Sequence, residues 1–176
     1  MSAVPASAPR RLFFALWPDA ALRAALVRDL AAAVPGGRPV HPEDLHVTLE
    51  FLGGVEEPRL RTLLELGERL ALPPGELAFD RLAWWRQQAL AVALASAPPP
   101  ALIALQSALR AALAGKGFRV EARAYVPHVT LARRLAAAPA FGRSVPVAWP
   151  LATLALVESG AAGGGARYRS LASWSR

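Results

Sequence analysis

The sequence predicts an α+β fold: a bilobed, duplicated chain whose two mostly antiparallel sheets form a cleft with helices on the outside. Three observations predict it. The tetrapeptide His-Val-Thr-Leu occurs twice, at 46–49 and at 128–131. Each copy closes the same order of elements, a short apolar strand, a helix, then the tetrapeptide strand. Hairpins intervene between the units, which argues against a strict βαβ repeat and for antiparallel pairing.

The elements follow in order. Residues 1–9 are small and proline-containing and read as a flexible N-terminal tail; residues 10–176 read as a single domain made of two pseudo-symmetric lobes. LFFALW at 12–17 is a buried strand. Asp19 caps a helix over 20–34, with Leu22, Leu26 and Leu30 at helical spacing and Pro35-Gly36-Gly37 ending it. HVTLEFL at 46–52 is a strand that Gly53-Gly54 is expected to stop. A second helix covers about 56–70. Residues 76–86 and 89–95 form a hairpin around Gln87-Gln88. Three prolines at 98–100 precede a third helix over 101–114, since proline suits a helix start. HVTLARR at 128–134 is the next strand. Residues 145–157 hold one or two more, interrupted by Pro150. Residues 160–165 form a flexible loop, and 167–174 a last strand.

Composition narrows the function classes. Hydrophobic residues make up 54% of the 176, enough for a core, yet no run of about 20 apolar residues predicts a membrane helix. No charged start, apolar stretch and cleavage site mark a signal peptide, so a cytoplasmic location is expected. The absence of cysteine excludes disulfides, thiolate zinc and a cysteine nucleophile. The formal charge is +7, and Lys116 is the only lysine. An arginine-rich solvated surface accounts for this as well as attraction of a polyanion does.

The paired tetrapeptides carry the chemistry. Alternation on a strand puts His46 and Thr48 on one face and Val47 and Leu49 on the other, and His128 and Thr130 repeat the pattern. One His-x-Thr is weak evidence, because a strand histidine is more often structural. Two identical copies, in matching places of a duplicated unit, point to a shared site. Histidine titrates near neutral pH, so one ring can donate a proton while its partner accepts one. The threonine hydroxyls add stiff donors, and the group of four suits a tetrahedral anion such as phosphate. Metal binding is the rival. Glu50, on the His46 face by alternation, and His41 offer further ligands, but nothing matches them near His128, where residue 132 is alanine. Neither a metal nor a cofactor is expected.

These residues resemble the 2H phosphoesterases, in particular the RNA 2′,3′-cyclic phosphodiesterases also called 2′-5′ RNA ligases. The resemblance covers nearly the whole chain: RLFFAL at 11–16, LHVTLEFLG at 45–53, PHVTLAR at 127–133, and Glu158-Ser159 with the glycine loop and Tyr168. It implies a V-shaped cleft without metal. It implies His46 as proton donor to the departing 3′ oxygen and His128 as proton acceptor from water. Thr48 and Thr130 would hold phosphate oxygens, and Arg133 would add positive charge. Alternation sets Arg133 opposite to His128, so that role requires a bend. The implied substrates are RNA with 2′,3′-cyclic phosphate ends, or cyclic nucleotides, with no obligatory protein partner and a monomeric chain. Phe14 and Tyr168 are candidates to stack on a base, with core packing favoured for Phe14. Of Trp84 and Trp85, at most one faces the cleft. His41 reads as an exposed loop residue. Two alternatives stay open: a binding module without turnover, and 2′-5′ ligation as the reverse reaction.

Overall fold

The computed structural model describes residues 8–160 and 165–176. Most of the expected tail and the centre of the 160–165 loop lie outside the described residues. Among the described residues, nine strands and three principal helices follow one another: β1 (Arg10–Leu16), α1 (Ala20–Ala25), β2 (Arg38–Pro39), β3 (Val47–Val55), α2 (Glu57–Arg69), β4 (Glu76–Trp85), β5 (Leu90–Ala95), α3 (Pro100–Gly115), β6 (His128–Arg133), β7 (Val147–Pro150), β8 (Thr153–Ser159) and β9 (Tyr168–Ser175). Among the described residues no helix is long and apolar enough to cross a membrane.

The sheet runs β7-β4-β5-β6-β3-β1-β8-β9, with β2 added on β6, and its pairs are antiparallel. The α+β class and antiparallel pairing are as the sequence predicts. The two expected sheets are joined into one, because β3 and β6 pair at Val47↔Val129. These valines hold the same place in the two tetrapeptides. Outward from β6 come β5, β4 and β7; outward from β3 come β1, β8 and β9. The order is therefore symmetric about a single valine pair.

Each half also carries a β-bulge at the same place. The β1–β3 register passes from Phe14↔Glu50 to Ala15↔Thr48, leaving Leu49 extra. The β5–β6 register passes from Ala91↔Ala132 to Val92↔Thr130, leaving Leu131 extra. A bulge breaks the alternation of faces. Accordingly Leu49 and Glu50 are both buried, as are Leu131 and Ala132.

Three of the differences from the sequence reading have a visible cause. Gly53-Gly54 does not stop β3, which continues to Val55 through a second shift between Leu12↔Gly53 and Phe13↔Phe51; Gly53 takes φ +69° there. The helix at 20–34 is α-helical only over Ala20–Ala25, then widens to a π turn at Leu26–Leu30 and tightens to a 3-10 turn at Ala31–Ala33. Pro35 forces Val34 into extended backbone and ends it. The Asp19 cap forms as expected, Oδ1 accepting the Leu22 N–H at 2.7 Å. Finally, β6 stops at Arg133, because Arg134 turns to φ +59°.

The core fills the side of the sheet opposite the two histidines. Phe14, Leu16, Val47, Leu49, Val129 and Leu131 bury there with Leu63, Leu109 and Trp149. Phe14 is thus a packing residue, as favoured. Close approach decides one glycine: a Cβ on Gly37 would lie 2.8 Å from the Arg133 carbonyl oxygen, so only glycine lets β2 lie against β6.

Candidate active site

The Val47↔Val129 pair fixes the centre of the site. Antiparallel register carried one residue either way sets His46 beside Thr130 and Thr48 beside His128. The valines are buried and the four polar residues part-exposed, so the polar four share the face away from the core. Beyond this pair β3 and β6 part. The edge of β6 is then taken by β2, at Arg38↔Arg133 and Pro39↔Ala132.

Both imidazoles are held in the same way. His46 Nδ1 lies 2.6 Å from the Asp44 carbonyl oxygen, and His128 Nδ1 lies 2.8 Å from that of Val126. A carbonyl only accepts, so Nδ1 carries hydrogen in each ring and Nε2 is left to exchange a proton. The Thr48 hydroxyl stands 3.0 Å from His46 Nε2. Phe13 and Trp17 lie over the His46 ring with centroids at 4.9 and 5.9 Å, and Tyr168 meets it edge-on at 5.0 Å. Trp85 covers His128 at 4.4 Å. Its neighbour Trp84 packs against Ala91, Ala132 and Leu135.

Arg133 reaches the site after all. The extra residue at Leu131 reverses the phase of β6, and the guanidinium comes 3.4 Å from the Tyr168 hydroxyl, which it can donate to. Its charge acts on both histidines. Burial lowers His46 to about 4, partly offset by the Asp44 carbonyl and deepened by the charges of His128 and Arg133. Burial also lowers His128, again with a contribution from Arg133. Both shifts favour the neutral ring.

Glu50 does not join the histidines. Past its bulge, the carboxylate accepts Gln106 Nε2 at 2.9 Å, Arg110 Nε at 3.0 Å and the Glu121 N–H at 2.6 Å. His41 is half-buried rather than exposed. Its Nδ1 accepts the Glu43 N–H at 3.2 Å and caps the turn Pro42–Asp44.

Sequence reasoning missed Asp44, Phe13, Trp17 and Phe51. Asp44 is buried, and its carboxylate accepts the N–H groups of Arg167 and Tyr168. The signal for its carbonyl was the position two before each histidine. Phe51 lines a cavity of about 660 Å³ that opens beside Thr48 and His128 and is walled by Trp85, Gln87 and Tyr125. Burial pushes the Tyr125 phenol up, and its hydroxyl has no hydrogen-bond partner among the described residues.

A split antiparallel sheet presenting one His-x-Thr from each side defines the two-histidine phosphoesterase class. Comparison with known proteins agrees. Residues 17–161 match the 2′-5′ RNA ligase superfamily. The chain is 33% identical over 175 residues to the RNA 2′,3′-cyclic phosphodiesterase of Escherichia coli, covering 96% of this chain and 97% of that one. It is 35% identical over 164 residues to the enzyme of the same name from Thermus thermophilus, covering 85% and 81%. Escherichia coli LigT, solved with 3′-AMP, superposes with a TM-score of 0.83 at 31% identity, covering 95% of this chain and 98% of that one. The chain belongs to the 2′-5′ RNA ligase superfamily.

Proposed function

We propose that this protein hydrolyses 2′,3′-cyclic phosphate ends of RNA, or cyclic nucleotides, to the 2′-phosphomonoester by general acid–base catalysis between two histidines. The observation that carries the reading is the Val47↔Val129 pair, with His46 and Thr48 flanking one valine and His128 and Thr130 the other. A phosphate above that quartet has one imidazole at each end and a hydroxyl on each flank. The names of the relatives support the substrate.

In this reading His128 Nε2 takes a proton from water as the water oxygen bonds to phosphorus. The P–O3′ bond breaks, and His46 Nε2–H gives its proton to O3′. The product keeps its 2′-phosphate and gains a 3′-hydroxyl. Thr48 and Thr130 donate to non-bridging oxygens, and Arg133 balances their charge, held by the Tyr168 hydroxyl. His46 enters protonated because the bound phosphate offsets the burial and cationic neighbours that lower it in the free protein.

The test is turnover of a 2′,3′-cyclic nucleotide by the wild type, His46→Ala and His128→Ala, with the product isomer identified. Each variant is expected to lose about 10²–10⁴-fold in kcat, with a smaller change in KM. Turnover is expected to persist in EDTA and to release the 2′-phosphate. Near-normal turnover by either variant sinks the reading.

A further inference from the structure

The two ends of the cleft differ in chemistry although the backbone relates them. The offset between the tetrapeptides carries Arg133 onto Phe51 and Arg38 onto Val120. One end sets the aromatic rings of Phe51, Trp85 and Tyr125 beside Arg86, Arg110 and Arg123, the last two paired with Glu50 and Glu121. The other is cationic. Arg38 and Arg133 are direct cross-strand partners in the β2–β6 pair. Directly opposed residues of an antiparallel pair share a face, with Cβ atoms about 5 Å apart. Arg133 is on the cleft face, since it meets Tyr168 beside His46, so Arg38 emerges on that face too.

Nothing neutralises this end. Among the described residues, no carboxylate pairs with the side chain of Arg38, Arg133 or Arg134. The nearest acids in sequence are engaged: Glu43 with Arg23 at 3.4 Å, and Asp44, buried, with two backbone N–H groups. Arg38 is exposed, and its strand is held by backbone bonds and by the Gly37 approach rather than by its side chain.

We propose that Arg38 forms a second phosphate subsite, one cross-strand step beyond Arg133, which seats the phosphodiester adjoining the reacting end of an RNA strand. This deepens the proposed function and rests on it for the placement of the reacting phosphate. The protein then prefers the end of a strand to a free cyclic nucleotide, and the preference is electrostatic.

The experiment compares wild type with Arg38→Gln on two substrates: a 2′,3′-cyclic mononucleotide with a free 5′-hydroxyl, and a short oligoribonucleotide ending in the same cyclic nucleotide. The expected result is a fall of about tenfold in kcat/KM on the oligonucleotide, carried by KM, at least fivefold larger than any fall on the mononucleotide. The slope of log affinity against log salt should shrink by about 0.7, one phosphate contact on a single strand. Equal losses on both substrates, or no loss on the oligonucleotide, overturn the subsite. Binding of the 2′-phosphorylated forms of the same two ligands, followed by calorimetry, is read in parallel. Should the wild type turn over neither cyclic substrate, the functional reading falls, and this binding comparison still decides the subsite: Arg38→Gln must weaken the oligonucleotide selectively.

Discussion

Asp44 and Tyr168 are joined across 124 residues of chain, the Asp44 Oδ1 accepting the Tyr168 N–H at 3.0 Å. The same carboxylate accepts the Arg167 N–H at 2.9 and 3.0 Å, and the Asp44 carbonyl takes the Nδ1–H of His46. One residue therefore sets the histidine and the phenol that closes over it. Asp44→Ala leaves two part-buried backbone N–H groups without this partner, each at the low end of the roughly 1–3 kcal/mol that a stranded donor costs. The expected outcome is a lower melting temperature and a kcat loss larger than the KM change. Asp44→Asn keeps one acceptor and should recover part of both. Loss of stability with unchanged kcat and an unchanged His46 titration in both variants would reduce Asp44 to a structural residue.

The depressed His46 makes stability depend on acid. Its folded value is about 4 against an ordinary 6.5. Between those limits the unfolded chain binds the proton and the folded one does not, so this contribution is complete above about pH 6.5 and is lost as pH falls toward 4. The melting temperature of wild type should fall over that window more steeply than that of His46→Gln. Equal slopes would show that burial does not depress the ring. Bound phosphate works in the opposite direction. Binding of a 2′-phosphorylated nucleotide near pH 6 should take up a proton, measured by calorimetry in buffers of different ionisation enthalpy.

Arg133 lowers both histidines through its charge. Arg133→Gln should therefore raise both titrations, followed by the ring proton resonances, while KM for a cyclic nucleotide rises. Loss of a charge-assisted hydrogen bond to an anion is worth roughly 1.5–3 kcal/mol, or about 10- to 150-fold in affinity. A rise in KM with both titrations unmoved would place the guanidinium on the substrate but out of reach of the rings.

How far the site could be read from the sequence divides at the bulges. Period-two alternation placed His46, Thr48, His128 and Thr130 on one face, since nothing interrupts 46–48 or 128–130. It failed at the next step in both halves. Leu49 shifts Glu50 into the grip of Gln106 and Arg110, and Leu131 brings Arg133 round to the cleft. No residue type in VTLE or VTLA announces the extra position, because it arises from register against β1 and β5. The join between sheet halves was equally hidden, for it is a single valine pair between strands far apart in sequence. Asp44 escaped because its partners lie in another segment, and one polar residue before a strand carries no pattern.

Glu50 offers the sharpest test of how the second histidine is held. Its side chain is fully buried, and it ties β3 to the backbone at Glu121, in the segment that leads to the Val126 carbonyl behind His128. Arg110 completes the link, donating to Glu50 and, at 3.1 Å, to the Arg123 carbonyl. Replacing the carboxylate by leucine strands the Glu121 N–H and the Arg110 charge. Breaking a fully buried pair costs about 3–5 kcal/mol, and the solvent contact that Arg110 keeps should reduce this to roughly 1–3 kcal/mol. The loosened segment carries the Val126 carbonyl, so His128 should lose its fixed ring orientation while His46, oriented by Asp44, keeps its own. Glu50→Leu is therefore expected to lower the melting temperature and kcat together and to alter the titration of His128 alone. If the His46 resonance moves as much as that of His128, the two halves of the cleft are not independently held, and Glu50 supports the sheet as a whole.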